Sequence, residues 1–146
     1  MTRSKRMEPV RDLAEARERE AGAAVALARR ALEDAEKKLK QLRDYRAEYL
    51  GKVSAGAPDG VRLANYHAFL GRLTSAIEQQ DKEVTLVLGR LEQATDAWRE
   101  ARIEAASIER AVEKLATGER RVADKRAQRE ADERSIQRVI LNRETR

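Results

Sequence analysis

The sequence has no cysteine, one histidine and two prolines, and aromatic side chains occupy only 3% of its positions. Without cysteine there is neither a disulfide framework nor a thiolate metal site, and a reducing cytoplasm is permitted. The lone His67 lacks the second nitrogen or sulfur donor that a zinc centre needs, so no metal and no cofactor is expected. No apolar run approaches the roughly 18 residues that cross a bilayer. The opening MTRSKRMEP is basic but lacks the apolar stretch of a signal peptide, so the protein is expected to stay on the side of the membrane where it is made. Also missing are a phosphate-cradling glycine loop and any Ser-His or His-Cys set. Catalysis is not expected, and no small-molecule substrate is implied.

What the chain does have is charge. Asp, Glu, Lys and Arg make up 39% of it, and the rest is largely Ala, Leu, Glu, Gln and Arg, the composition of long helices or a coiled coil. The net charge of +5 is unevenly placed. Residues 13 to 118 hold 18 basic and 18 acidic side chains and cancel. The excess lies in Arg3, Lys5, Arg6 and Arg11 against Glu8 and Asp12 at the start, and in nine basic against six acidic residues from Glu119 to Arg146. A hairpin carries both termini towards the same half of the molecule, so one end is basic and the body neutral. That end is either a solvated, frayed helix terminus or one attracted at long range to an acidic partner.

The apolar pattern predicts an all-α fold. From about Val10 to about Leu50 the best-phased positions are Ala28, Leu32, Ala35, Leu39, Leu42, Arg46 and Tyr49, alternating steps of four and three as in a coiled-coil seam. From Leu70 through Ile77, Gln80, Val84, Val87 and Trp98 to Leu115 the same alternation holds at fourteen successive positions, with Gln80 the one polar member. A polar seam residue fixes register at some loss of stability, and Trp98 reads as filler between alanines. Val122, Ile136 and Ile140 continue the phase, while Glu119, Arg126, Arg129 and Glu133 interrupt it.

Between the two helices, GKVSAGAPDG supplies three glycines and a Pro-Asp-Gly, a turn expected to be mobile. The expected object is one domain over 1–146, a long antiparallel two-helix coiled-coil hairpin: helix at about 10–50, loop at about 51–62, helix at about 63–140. At 1.5 Å per residue the second helix spans roughly 110 Å against roughly 60 Å for the first. Counted from a turn near Ala55, the first helix runs out opposite about position 100, so a C-terminal helix protrudes.

Near the turn the apolar arc is wider than a two-stranded seam requires. Tyr66, Phe69, Leu73, Ala76 and Gln80 form a second stripe, and Lys38, Leu42, Tyr45 and Tyr49 form a matching one across the hairpin. Four of the five aromatics thus meet at one end, where they either dock a third partner or plug the hairpin tip.

These residues resemble a family. SKRMEPVRDLAEAREREA, then LKQLRDYRAEYL and NYHAFLGRLTSAIEQQ flanking the loop, WREAR at 98 to 102 and KRAQREADERSIQR near the end are together similar to FliJ, the coiled-coil component of the bacterial flagellar type III protein export apparatus. The resemblance implies a stalk that couples a hexameric export ATPase ring (FliI-like), entered by the terminal end, to the cytoplasmic linker of the membrane export gate (FlhA-like), and that assists escort of export chaperones. It implies export-gate binding by Leu42, Tyr45, Tyr49, Phe69, Leu73 and Ala76. It also implies a cytoplasmic protein peripherally associated with the inner face of the plasma membrane, serving flagellum biogenesis, motility and chemotaxis.

The alternative that the residues alone leave standing is a basic coiled-coil adaptor that binds nucleic acid or another polyanion. Against it, the basic residues are interleaved with acidic ones and have no aromatic stacking platform beside them.

Overall fold

A computed structural model describes residues 1–54 and 60–145. They form two helices, α1 (Arg3–Ser54) and α2 (Gly60–Glu144), packed against each other antiparallel, with no strand among the described residues. The all-α coiled-coil hairpin read from the heptads is the observed architecture. Of the expected loop, Gly51–Ser54 are helical and Gly60 already opens α2, while 55–59 lie outside the described residues.

The helices differ from expectation at the amino end. α1 begins at Arg3 and contains Pro9, although proline inside a helix removes a donor and costs about 3 kcal/mol. The first turn is held from both sides. Thr2 acts as N-cap: its hydroxyl accepts from the Lys5 N–H at 3.4 Å, and its carbonyl accepts from the Arg6 N–H at 3.1 Å. The first turn has no acidic residue of its own. Glu119 of α2 supplies the carboxylate, accepting from the Ser4 N–H at 3.0 Å and from the Ser4 hydroxyl. The pairing of α1 with α2 therefore reaches Glu119, farther than the turn arithmetic placed it.

The chain divides into two compact units. In Arg19–Glu100, the buried residues are Ala35, Leu39, Leu73, Ile77, Gln80 and Val87, all on the three-four alternation. Gln80 donates its side-chain amide to the Ala35 carbonyl at 3.0 Å, which satisfies the one buried polar side chain among the described residues. Trp98 lies half-buried over Gly22, where a Cβ would come within 3.4 Å of the indole nitrogen.

In the unit made of Met1–Glu18 and Ala101–Arg146, the buried residues are Ala14, Ala105 and Val112. Arg11 sits in the seam beside Glu109 at 3.9 Å. No large side chain of the described residues is fully buried, as expected where two helices alone enclose a narrow seam. On the outer faces, ion pairs such as Lys40–Asp44 at 2.7 Å link successive turns. The hydrogen bond and charge of Asp44 hold the Lys40 ammonium above its ordinary pKa, but solvent exposure leaves such pairs little effect on stability.

Candidate functional site

In the unit Arg19–Glu100, helical spacing puts Leu42, Tyr45 and Tyr49 along one side of α1, and Tyr66, Phe69, Leu73 and Ala76 along one side of α2. Antiparallel pairing brings the rings together. Tyr49 stacks on Tyr66 with centroids 5.3 Å apart and 20° between planes, and lies 4.6 Å from Phe69. Tyr45 meets Phe69 edge-on at 6.1 Å, and the Arg72 guanidinium sits 6.0 Å from the Phe69 centroid.

The cluster is only partly closed. Tyr49, Tyr66 and Phe69 are half-buried against one another, whereas Tyr45 remains 50% exposed. Three of the rings pack against one another, and the fourth, Tyr45, meets them only edge-on and stays exposed.

One to two turns farther from the tip the surface changes character. Leu42 and Ala76, both half-buried, line an open groove of about 610 Å³ together with Lys38, Gln79, Gln80 and Glu83. Leu73 is buried in the seam and contributes packing more than surface. Of the six residues picked from the sequence, Tyr45, Tyr49 and Phe69 form the ring cluster and Leu42 and Ala76 share the groove. Leu73 lies beneath. His67 is exposed beside Tyr66, and no metal-binding group occurs among the described residues.

The second feature is in the terminal unit. Where α1 begins, Thr2, Arg3, Leu115, Gly118, Val122 and Arg126 line an open groove of about 1030 Å³. Glu119, read from the sequence as an interruption of the seam, is the residue that receives Ser4 here. The hydrogen bond from the Ser4 hydroxyl, then that from its backbone N–H, hold the Glu119 carboxyl below the ordinary carboxylate range. A capping carboxylate supplied by another helix leaves no local sequence signature, since the capping-box pattern describes only donors and acceptors three residues apart. Past Glu119 every residue from Arg120 to Thr145 is exposed. No described helix is long and apolar enough to cross a membrane.

Comparison with known proteins matches the sequence to a family. The family described as "Flagellar FliJ protein" matches residues 3–144. The chain is 33% identical over 97 residues to the Flagellar FliJ protein of Salmonella typhi, covering 64% of this chain and 66% of that protein. It is 31% identical over 94 residues to the Flagellar FliJ protein of Escherichia coli (strain K12), covering 62% of this chain and 64% of that one. The chain thus spans just under two thirds of the length of these relatives. With the family match covering nearly all of it, the chain belongs to the FliJ family of flagellar proteins.

Proposed function

We propose that this chain works as a single stalk-like domain of the flagellar protein export apparatus, without catalytic activity of its own. Its terminal end engages a hexameric export ATPase, its aromatic cluster contacts the cytoplasmic linker of the membrane export gate, and it assists the escort of export chaperones. It resides in the cytoplasm, held at the inner face of the plasma membrane through the apparatus.

The observation that carries this reading is the family match over residues 3–144. Two features support its finer parts. Tyr45 presents an unsealed aromatic edge beside Tyr49 and Phe69, which suits the desolvated aromatic anchor of an interface. The run from Arg120 to Thr145 offers a helix that no described residue buries.

The test is a pull-down of the full chain against the purified export ATPase and the gate's cytoplasmic domain, with the Tyr45→Ala/Tyr49→Ala/Phe69→Ala variant alongside. Binding of the parent to both, with only gate binding lost in the variant, supports the reading; binding to neither sinks it. A salt titration with nucleic acid covers the polyanion alternative, for which tight binding with a steep salt slope is the signature.

A further inference from the structure

The three-four phase, buried at Val112 and half-buried at Leu115 and Glu119, runs on in α2 through Val122, Arg126, Arg129, Glu133, Ile136 and Ile140, all exposed. We propose that this free seam pairs with the same segment of a second copy of the chain, antiparallel, about a two-fold axis between Arg129 and Glu133.

Charge and phase together select that occupant. A two-fold axis makes the interface self-complementary, so each residue faces one set by the same sum of positions. With the axis between Arg129 and Glu133, Arg129 of each copy faces Glu133 of the other. Val122 then faces Ile140, and Arg126 faces Ile136, over which its alkyl stem lies while the guanidinium reaches water. The two central layers are therefore opposite charges, and the outermost two are apolar. Slipping by one heptad in either direction removes this match. One slip sets Arg126 against Arg129, the other sets Arg126 against Arg143, and like charges directly opposed are destabilising. Of these three registers, only the centred one opposes every arginine of the seam to something other than arginine, and it overlaps more of the seam than any longer slip towards the C-terminus.

The groups concerned are free to take part. Arg129 and Glu133 form no ion pair with any described residue, whereas their neighbours Arg134 and Glu130 pair with each other at 4.0 Å on an adjoining face. Val122, Ile136 and Ile140 are 70%, 59% and 51% exposed, an apolar load that an isolated helix leaves in water. The seam involved is only about three heptads long, and Asp132 of both copies lies near the axis, so the pairing is a weak one that forms and dissolves as concentration changes. It stands on this seam alone and not on the ATPase reading. Where both hold, a paired terminal segment is unavailable to a ring, and self-association keeps unassembled chains from engaging other partners.

Sedimentation equilibrium of the full chain from about 1 µM to about 1 mM tests this. The parent is expected to pass from monomer to dimer across that range. Arg129→Glu and Glu133→Arg each place like charges in both central layers and are expected to raise the Kd by at least about tenfold. The double variant R129E/E133R restores opposite charges and is expected to return to the parent Kd. Ile140→Lys leaves the charged layers intact and is expected to weaken the dimer too, with far-UV circular dichroism checking that all variants stay equally helical. A parent chain that is monomeric throughout overturns the proposal, as does a dimer indifferent to the single reversals or a double variant no tighter than the singles.

Discussion

Glu119 receives Ser4 twice, through the backbone N–H at 3.0 Å and through the hydroxyl, so a side chain of α2 caps the first turn of α1. This contact anchors the amino end of a helix that carries a proline at its seventh residue. The folded-state pKa of Glu119 is depressed, so its contribution to stability is present above the unfolded carboxylate value of about 4.3 and is lost as pH falls through the lower folded value. The amides near Ser4 are therefore expected to be protected, relative to unstructured amides at the same pH, at neutral pH and to lose that protection only in strongly acidic solution. Glu119→Ala is expected to remove the protection of these amides, measured against the rate of an unstructured amide at the same pH, while leaving amides around Ala35 unchanged. Protection that survives the substitution would mean that Thr2 alone caps the helix.

The aromatic cluster holds rings that pack against one another and one ring, Tyr45, that stays exposed. Tyr49 and Phe69, at 4.6 Å, hold the hairpin together and are half-buried, so truncating either to alanine is expected to destabilise by about 1–3 kcal/mol, below the range for fully buried aromatics. Tyr45 touches the cluster only edge-on and is half exposed. Tyr45→Ala is expected to shift the urea midpoint by less than about 0.5 kcal/mol equivalent and yet to lose most gate binding. Were Tyr45→Ala to melt the hairpin, the ring would be a plug and the docking assignment would fail.

How much of this was legible in the sequence depends on how local each cause is. Period is local, so the two helices, their seam from Leu70 to Leu115 and the convergence of Tyr45, Tyr49, Tyr66 and Phe69 followed from counting steps of three and four. Gln80 stood out as a polar member of an apolar series, although the Ala35 carbonyl that receives it is 45 residues away and could not be named. The ends were harder. Pro9 and the basic lead-in argued for a start near Val10, because the capping group that favours Arg3 is 115 residues from Ser4. The closure of Tyr49 on Tyr66 while Tyr45 stays exposed follows the phase as well, since Tyr49 continues the seam after Leu42 and Arg46 whereas Tyr45 flanks it.

Gly22 gives a prediction of opposite sign. It lies inside α1, where glycine is about 1 kcal/mol worse than alanine. A Cβ there would contact the indole of Trp98 at 3.4–3.5 Å, an ordinary packing distance. Gly22→Ala is expected to raise stability by about 0.5–1 kcal/mol. Gly22→Leu adds branches that have to pass the indole and is expected to destabilise by about 1–3 kcal/mol. Thermal melts of the two variants, read by far-UV circular dichroism, check both. If leucine is accepted without loss, Trp98 is free to swing away and does not contribute to fixing the seam at this point.

The last prediction concerns the exposed end of α2. Since every residue from Arg120 to Thr145 is exposed, removing residues from 126 onward takes away helix but no buried seam. The far-UV signal is expected to fall in proportion to the residues lost, while the melting temperature of what remains stays within about 2 °C of the parent, because no buried contact is lost. In reconstituted assays the truncated chain is expected to stimulate the export ATPase less while binding the gate domain as the full chain does. Loss of both would mean that the terminal segment and the aromatic cluster do not act separately, and that the two-site assignment has to be abandoned.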